Sequence, residues 1–153
     1  MAYWLFKSEP SSFSLEDLMA RGAPEPWSGV RNFQARNFMR AMQPGDLGFF
    51  YHSSCAVPAI VGEVEVARAA YPDHTALDPD DHHYDPRAVK KPELWSMVDV
   101  AFREHYPVPV TLVRLKDCPA LAGMRLLARG NRLSVLPVTE DEWQIIQGLA
   151  RAA

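Results

Sequence analysis

The sequence predicts an α+β fold in which a curled or barrel-like mixed sheet is flanked by short helices. Three observations lead there. Short apolar runs of strand character recur from Tyr3 to Val138, segments of helical period fall between them, and the two never settle into a repeating βαβ rhythm. The missing rhythm argues against a doubly wound parallel sheet and for a mixed sheet that curls. A length of 153 residues with 48% apolar side chains suits one domain, residues 1–153, with one core.

The first element, Tyr3 to Phe6, is an aromatic and aliphatic run stopped by Glu9-Pro10. It reads as a strand buried on both faces, with Lys7, Ser8 and Glu9 at its end. Ser14 is placed to cap a short helix, Leu15 to Ala20. Its hydroxyl can accept a free N–H of the first turn, Glu16 and Asp17 suit the positive end of the helix dipole, and Gly22 permits a left-handed stop. Pro24 and Pro26 mark a turn. From Phe33, the residues Ala35, Phe38, Met39 and Met42 fall at helical spacing, Arg36 and Arg40 lie on another face, and Pro44-Gly45 ends the helix.

Leu47 to His52 is an apolar strand, and Ala59 to Ala70 contains another. In the latter, alternation puts Ile60, Gly62, Val64 and Val66 on one face and Val61, Glu63 and Glu65 on the other. The connection from Tyr71 to about Leu94 is long enough to be functional or locally mobile. Trp95 to Phe102 is a strand with Val98 and Val100 facing away from Asp99 and Ala101, and Tyr106 to Val110 extends the sheet. Pro109 to Met124 reads as one or two helical turns broken by Pro119 and Gly123, and Asn131 to Val138 as a final short strand or bulge. Thr139 and Glu142 form a capping box for a last helix, whose buried stripe is Trp143, Ile145, Ile146 and Leu149.

A formal net charge of −3 argues against affinity that comes from blanketing a nucleic-acid backbone, but not against reading one nucleotide in a pocket. Two scattered cysteines, Cys55 and Cys118, do not make a disulfide framework and suit a reducing cytoplasm. The N-terminal residues lack the pattern of a signal peptide, and no apolar run approaches the ~20 residues that cross a bilayer. Dinucleotide, P-loop, nucleophile-elbow, HExxH and CxxC motifs are all absent.

Three constellations carry candidate chemistry. The stretch Trp27 to Met42, WSGVRNFQARNFMRAM, opens with a flat aromatic face, a glycine where backbone can come close, and donors for something planar or anionic. The bland alternative puts Trp27 in the core and the arginines on a solvated helix face. The repeated pairs Arg31-Asn32 and Arg36-Asn37 favour recognition, because rings stack on bases for ~1–3 kcal/mol each while amides and guanidinium groups read base edges. Lys7 and Glu9, with Tyr51 and His52, sit at strand ends and could form an acid/base pair. No activated nucleophile accompanies them, so a ligand-facing or structural role is favoured over catalysis. The cluster Asp73, His74, Asp78, Asp80, Asp81, His82, His83 and Asp85 holds metal-binding residue types, but its spacing matches no defined site. It reads as a solvated loop, and neither metal nor cofactor is expected.

Five motifs taken together, YWLFKSEP, WSGVRNFQARNFMRAM, GDLGFFYHSS, WSMVDV and RLSVLPVT, stand in an order that resembles the EVE domain family of the PUA-like superfamily. This group includes the thymocyte nuclear proteins of animals and single-domain bacterial members, and the resemblance covers nearly the whole chain. It implies a PUA-like mixed β pseudo-barrel with surrounding short helices, in agreement with the α+β reading. It also implies a non-catalytic binding module for modified bases, modified cytosine in DNA or a modified RNA. The family's pocket-side motifs fall on Lys7, Ser8 and Glu9, on Trp27, Ser28, Gly29, Val30, Arg31 and Asn32, on His52 and Ser53, and on Arg132, Leu133 and Ser134. Phe33 stands where many relatives have tyrosine, which removes a hydroxyl at that ring.

The expectation is therefore a cytoplasmic protein, monomeric or weakly dimeric and without a membrane partner, that binds a flipped or single-stranded modified nucleotide. Trp27 would stack on the base, and Ser28, Asn32 and the backbone near Gly29 would read its edge. Arg31, Arg36 and Arg132 would meet phosphate, while His52 and Glu9 would shape the pocket floor. The alternative is a small hydrolase of modified nucleosides, similar to ASCH-type relatives, using Lys7, Glu9 and His52. A third reading makes the Tyr71–Leu94 connection a protein-docking segment.

Overall fold

The computed structural model describes residues 1–152, and in it six strands build one mixed sheet in the order β2-β5-β4-β3-β1-β6. The strands are β1 (Tyr3–Ser8), β2 (Glu25–Pro26), β3 (Leu47–His52), β4 (Ala59–Pro72), β5 (Ser96–Thr111) and β6 (Val135–Val138). β1 and β3 run parallel, which sets Lys7 beside Tyr51 and Ser8 beside His52. The other neighbours are antiparallel. Among the described residues β2 and β6 do not pair with each other, so the pseudo-barrel is an open sheet.

Helices α1 (Leu15–Arg21), α2 (Phe33–Ala41), α3 (Leu112–Lys116) and α4 (Glu140–Arg151) pack around it. One core contains Trp4, Phe6, Leu15, Trp27, Met39, Phe50, Val64 and Val98. The other contains Leu5, Phe49, Tyr51, Ile60, Tyr106, Leu115, Trp143 and Ile146. Residues of β1 and β3 go alternately into the two cores, which is why both strands are apolar throughout. Each such side chain contributes about 1.5–3 kcal/mol by leaving water. The expected capping box of Thr139 with Glu142 starts α4, and Ser14 caps α1 as part of a second box completed by Asp17.

Strict alternation fails in β4. Ile60 lies in the second core, while Val61, Val64 and Val66 share the first. The cause is a set of register shifts, between Ile60 and Gly62 and again between Glu63 and Val64, each of which re-aims the side chains that follow. β5 likewise runs unbroken from Ser96 to Thr111, without a separate extension at Tyr106.

The connection after β4 is also more ordered than its length suggests. It holds two 3₁₀ turns, His74–Leu77 and Pro86–Val89, and a small core of Ala76, Ala88, Leu94 and Trp95. Its aspartates do the folding. Asp73, Asp78, Asp81 and Asp85 each accept the backbone N–H two residues on, at Thr75, Asp80, His83 and Arg87. Among the described residues, no helix is long and apolar enough to cross a membrane.

Candidate functional site

The pocket begins with Asp73. Its side chain is fully buried and accepts from the Gly29 N–H at 2.8 Å, Arg31 Nη1 at 3.0 Å, the Thr75 N–H at 2.9 Å and Thr75 Oγ1 at 2.6 Å. Burial pushes this carboxyl up, but the hydrogen bonds from Thr75, Gly29 and Arg31 outweigh it and hold the group below its ordinary range. One carboxylate thus ties the Trp27–Asn32 segment to the connection after β4. Arg31 strengthens the tie by donating from Nε to the His83 carbonyl and from Nη2 to Thr75 Oγ1.

Gly29 shows what this close approach demands. Its φ is +83°, and a Cβ placed there would lie 2.7 Å from the His83 ring. Only glycine fits both constraints. His83 therefore rests against the backbone of the segment. Burial, His82 and Arg31 draw its pKa down against the pull of Asp81 and Asp73, so at neutral pH the ring is a neutral donor and acceptor.

Between these parts opens a cavity of about 410 Å³, within the ~300–1,000 Å³ of small-molecule sites. Lys7, Ser8 and Glu9 line it from the end of β1, and Trp27, Ser28, Gly29 and Val30 from the next segment. His82 and His83 close another side, with Ser12, Phe13, Glu25, Pro26 and Ser134 completing the wall. Lys7 N–H donates to the Ser134 carbonyl, and Ser8 Oγ donates to the Phe13 carbonyl, so the lining is knit to itself. Lys7 is half-buried, and burial lowers its pKa from the ordinary lysine value. Its ammonium joins none of the ion pairs among the described residues.

Of the residues singled out in the sequence, the cavity gathers Lys7, Ser8, Glu9, Trp27, Ser28, Gly29, Val30 and Ser134. Trp27 is only 8% exposed, with Phe6, Phe13 and Phe50 edge-on around it, so most of the indole belongs to the core. The others lie outside the lining. Asn32 caps α2 by accepting the Ala35 N–H, and Arg36 donates to the Leu94 carbonyl and to Asn37. His52 Nε2 accepts the Leu15 N–H at 3.2 Å, which turns it toward α1. The Ser53 N–H donates to the Ser8 carbonyl, Leu133 packs against the cores, and Arg132 is exposed.

The hydrolase reading needs Lys7, Glu9 and His52 together, and the cavity holds the first two. Asp81, His82 and His83 are the one group among the described residues with three metal-ligating atoms within 4.8 Å of one another. Asp81 Oδ1 already accepts the His83 N–H there. Ser12, Phe13, Glu25 and Pro26 are not among the sequence candidates, and His82 and His83 enter there only as members of the acidic cluster read as a solvated loop, whereas here they line the cavity. The available signal was the recurrence of aspartate before turn residues in the connection, which marks a folded segment.

A model of the EVE domain matches residues 2–149. Thymocyte nuclear protein 1 of Gallus gallus is 43% identical over 96% of this chain and 68% of its own length. A crystal structure of a Pseudomonas putida protein superposes with a TM-score of 0.93 at 51% identity, covering 97% of this chain and 99% of that one. The crystal structure of the human THYN1 protein in complex with 5-methylcytosine-containing DNA gives a TM-score of 0.93 at 39% identity, covering 98% of each chain. An ASCH protein variant from Zymomonas mobilis, at 10% identity and a TM-score of 0.54, covers 97% of this chain and 99% of its own, and shares the fold alone. On the family match and these identities, the chain belongs to the EVE domain family.

Proposed function

We propose that this chain binds a modified cytosine of DNA in the cavity between Lys7, the Trp27–Val30 segment and His83. The observation that carries the reading is the cavity itself, of nucleobase scale, in a family whose human member was crystallised with 5-methylcytosine-containing DNA. Lys7 brings a cation without an ion-pair partner to the C=O edge of the base. Ser28 and the backbone at Gly29 offer polar contacts, and the part of Trp27 that reaches the cavity gives an apolar wall for the 5-substituent. His83, neutral and set against Gly29, supplies the opposite side. Arg31 serves by positioning, since its donors hold the cavity walls together.

A base reaches such a cavity only when flipped or unpaired, at a cost of a few kcal/mol, so single strands and mismatched sites bind better than intact duplex. A modified RNA base meets the same requirements. The protein acts as a cytoplasmic monomer or weak dimer in this reading, without turnover of the ligand. Titration with single-stranded oligonucleotides carrying 5-methylcytosine or 5-hydroxymethylcytosine, against unmodified controls, tests it. Tighter binding of a modified strand is expected, with its affinity reduced at least tenfold by Lys7→Ala; equal, weak binding of all strands overturns it.

A further inference from the structure

A second feature lies beside the cavity and outside its lining. Phe33, at the start of α2, is 48% exposed although large and apolar. It stacks on the buried Trp95, with ring centroids 4.8 Å apart and planes 18° from parallel. Trp95 is in turn fixed by its Nε1–H, which donates to Asp85 Oδ2 at 2.8 Å. The exposed ring is thus a rigid shelf on an immobile base.

Guanidinium groups surround the shelf. Arg36 lies 4.8 Å from the Phe33 centroid and 5.9 Å from that of Trp95, and Arg87 lies 5.9 Å from Phe33. Were Arg36 across the outer face of Phe33, it would be far more distant from Trp95. It therefore sits beside the stack and leaves that face open. Arg36 is held by the Leu94 carbonyl and Asn37, and Arg87 by Asp85, so both cations are pre-placed.

One carboxylate links the shelf to the cavity wall. Asp73 binds both Gly29, which lines the cavity, and Arg31, whose guanidinium is 5.5 Å from the Trp95 ring. Four residues from Gly29 to Phe33 span at most about 14 Å. Stacked bases of one strand are ~3.4 Å apart, and splayed ones further, so a strand with one base in the cavity has a near neighbour within reach of Phe33.

We propose that the outer face of Phe33 stacks a base flanking the modified one, while Arg36 and Arg87 meet the phosphates on either side of it. The proposal rests on the strand binding described above, and it makes the chain a reader of at least two nucleotide positions. A flat ring between cations recognises any base, since every base has a π-face. This position therefore adds affinity for a strand without specifying its sequence, in a protein whose net charge of −3 gives no general attraction for one.

The test compares native protein with Phe33→Ala, using the free nucleoside 5-methylcytidine and a short single-stranded oligonucleotide containing 5-methylcytosine, beside its unmodified control. Phe33→Ala should weaken both oligonucleotides about tenfold and leave the nucleoside within twofold. Phe33→Tyr, which keeps the ring, should bind as the native protein does. Arg87→Gln should reduce the slope of log affinity against log salt by about 0.7, the value of one single-strand phosphate contact. An unchanged oligonucleotide affinity in Phe33→Ala overturns the shelf, as does an equal loss for the nucleoside. Equal binding of modified and unmodified strands by native protein overturns the cavity reading instead, and the Phe33→Ala comparison still decides the shelf.

Discussion

Two carboxylates, Asp73 and Glu63, are fully buried on different sides of this molecule, and they do different work. Glu63 accepts from the Tyr106 hydroxyl at 2.5 Å, Gln147 Nε2 at 2.9 Å and Arg103 Nε at 3.3 Å. Its partners come from β5 and α4, regular elements that would pack together without it. Asp73 instead gathers Gly29, Arg31 and Thr75, residues outside any strand or helix except the turn it caps. The first carboxylate reinforces a sheet that hydrophobic burial already assembles. The second ties loop to loop through polar contacts, alongside the Phe33–Trp95 stack, and the cavity forms at that adjacency.

The largest effect expected from this contrast is that of Asp73→Ala. It leaves the Gly29 N–H and both Thr75 donors without their acceptor, and it removes the carboxylate partner of the Arg31 guanidinium, which is only 20% exposed. Removing one partner of a buried ion pair costs about 3–5 kcal/mol. Urea unfolding should register that loss, and binding of a 5-methylcytosine strand should fall more than tenfold. Native-like stability in the variant would show that the two segments hold together by other means.

Glu63→Ala should cost less, about 2–3 kcal/mol, because Arg103 is half-exposed and returns to water while Tyr106 and Gln147 lose a buried partner. Strand affinity should stay within twofold in protein that remains folded. A loss of affinity as large as that from Asp73→Ala would erase the distinction between the two carboxylates. Tyr106 supplies a spectroscopic check. Burial and the neighbouring Glu63 push its hydroxyl far above the ordinary tyrosine value, and without Glu63 it should titrate lower in ultraviolet absorbance.

The two regions also differ in how far the sequence discloses them. β1 and β3 were legible because both faces are buried and the apolar runs are unbroken, and Ser14, Asp17, Thr139 and Glu142 announced their helices by cap chemistry. Half of the cavity was legible too, since Lys7–Glu9 and Trp27–Val30 are local segments with unusual composition. The half formed by His82 and His83 was not. They arrive through a connection whose aspartates resemble a solvated acidic cluster until their turns are seen. Nor did alternation reveal the bulges in β4, because a register shift leaves composition unchanged while moving Ile60 and Val64 into different cores. Asn32 and Arg31 showed the opposite problem: residue types suited to ligands are used here for a helix cap and a buried pair.

Gly29→Ala separates the adjacency from its anchor. At φ +83° a Cβ is strained, and here it also meets His83, while Asp73 keeps its other partners. The expected cost is about 1–3 kcal/mol, with a disproportionate loss of ligand because His83 is displaced into the cavity. Gly22→Ala is the control: φ is +64° there too, but nothing lies within 4 Å of the added atom. It should share the strain and keep ligand affinity. If both variants bind alike, the close approach of His83 to Gly29 does not shape the cavity.

The smallest effect belongs to His52, which sits beside Ser8 across the parallel pair yet points to α1. Its Nε2 accepts the Leu15 N–H, one of the first-turn donors a helix cannot satisfy internally, and it can do so only when that nitrogen is unprotonated. Burial draws its pKa below 6.5; Glu16 opposes this and His105 adds to it. A folded value below the unfolded one means that protons bind the unfolded chain more readily. The contribution is thus complete above about pH 6.5 and is lost as pH falls through the folded value. Asp73, also lowered, obeys the same sign but loses its contribution only below 3.8, so the two windows separate. His83 titrates in the same direction as His52, which makes the difference between native protein and His52→Gln the informative quantity. Glutamine keeps an acceptor for Leu15 and does not titrate. Between pH 7 and 5 the native melting temperature should fall a few degrees further than that of the variant. Parallel profiles would mean that the Leu15 contact survives protonation, and would remove His52 from the groups that couple stability to pH.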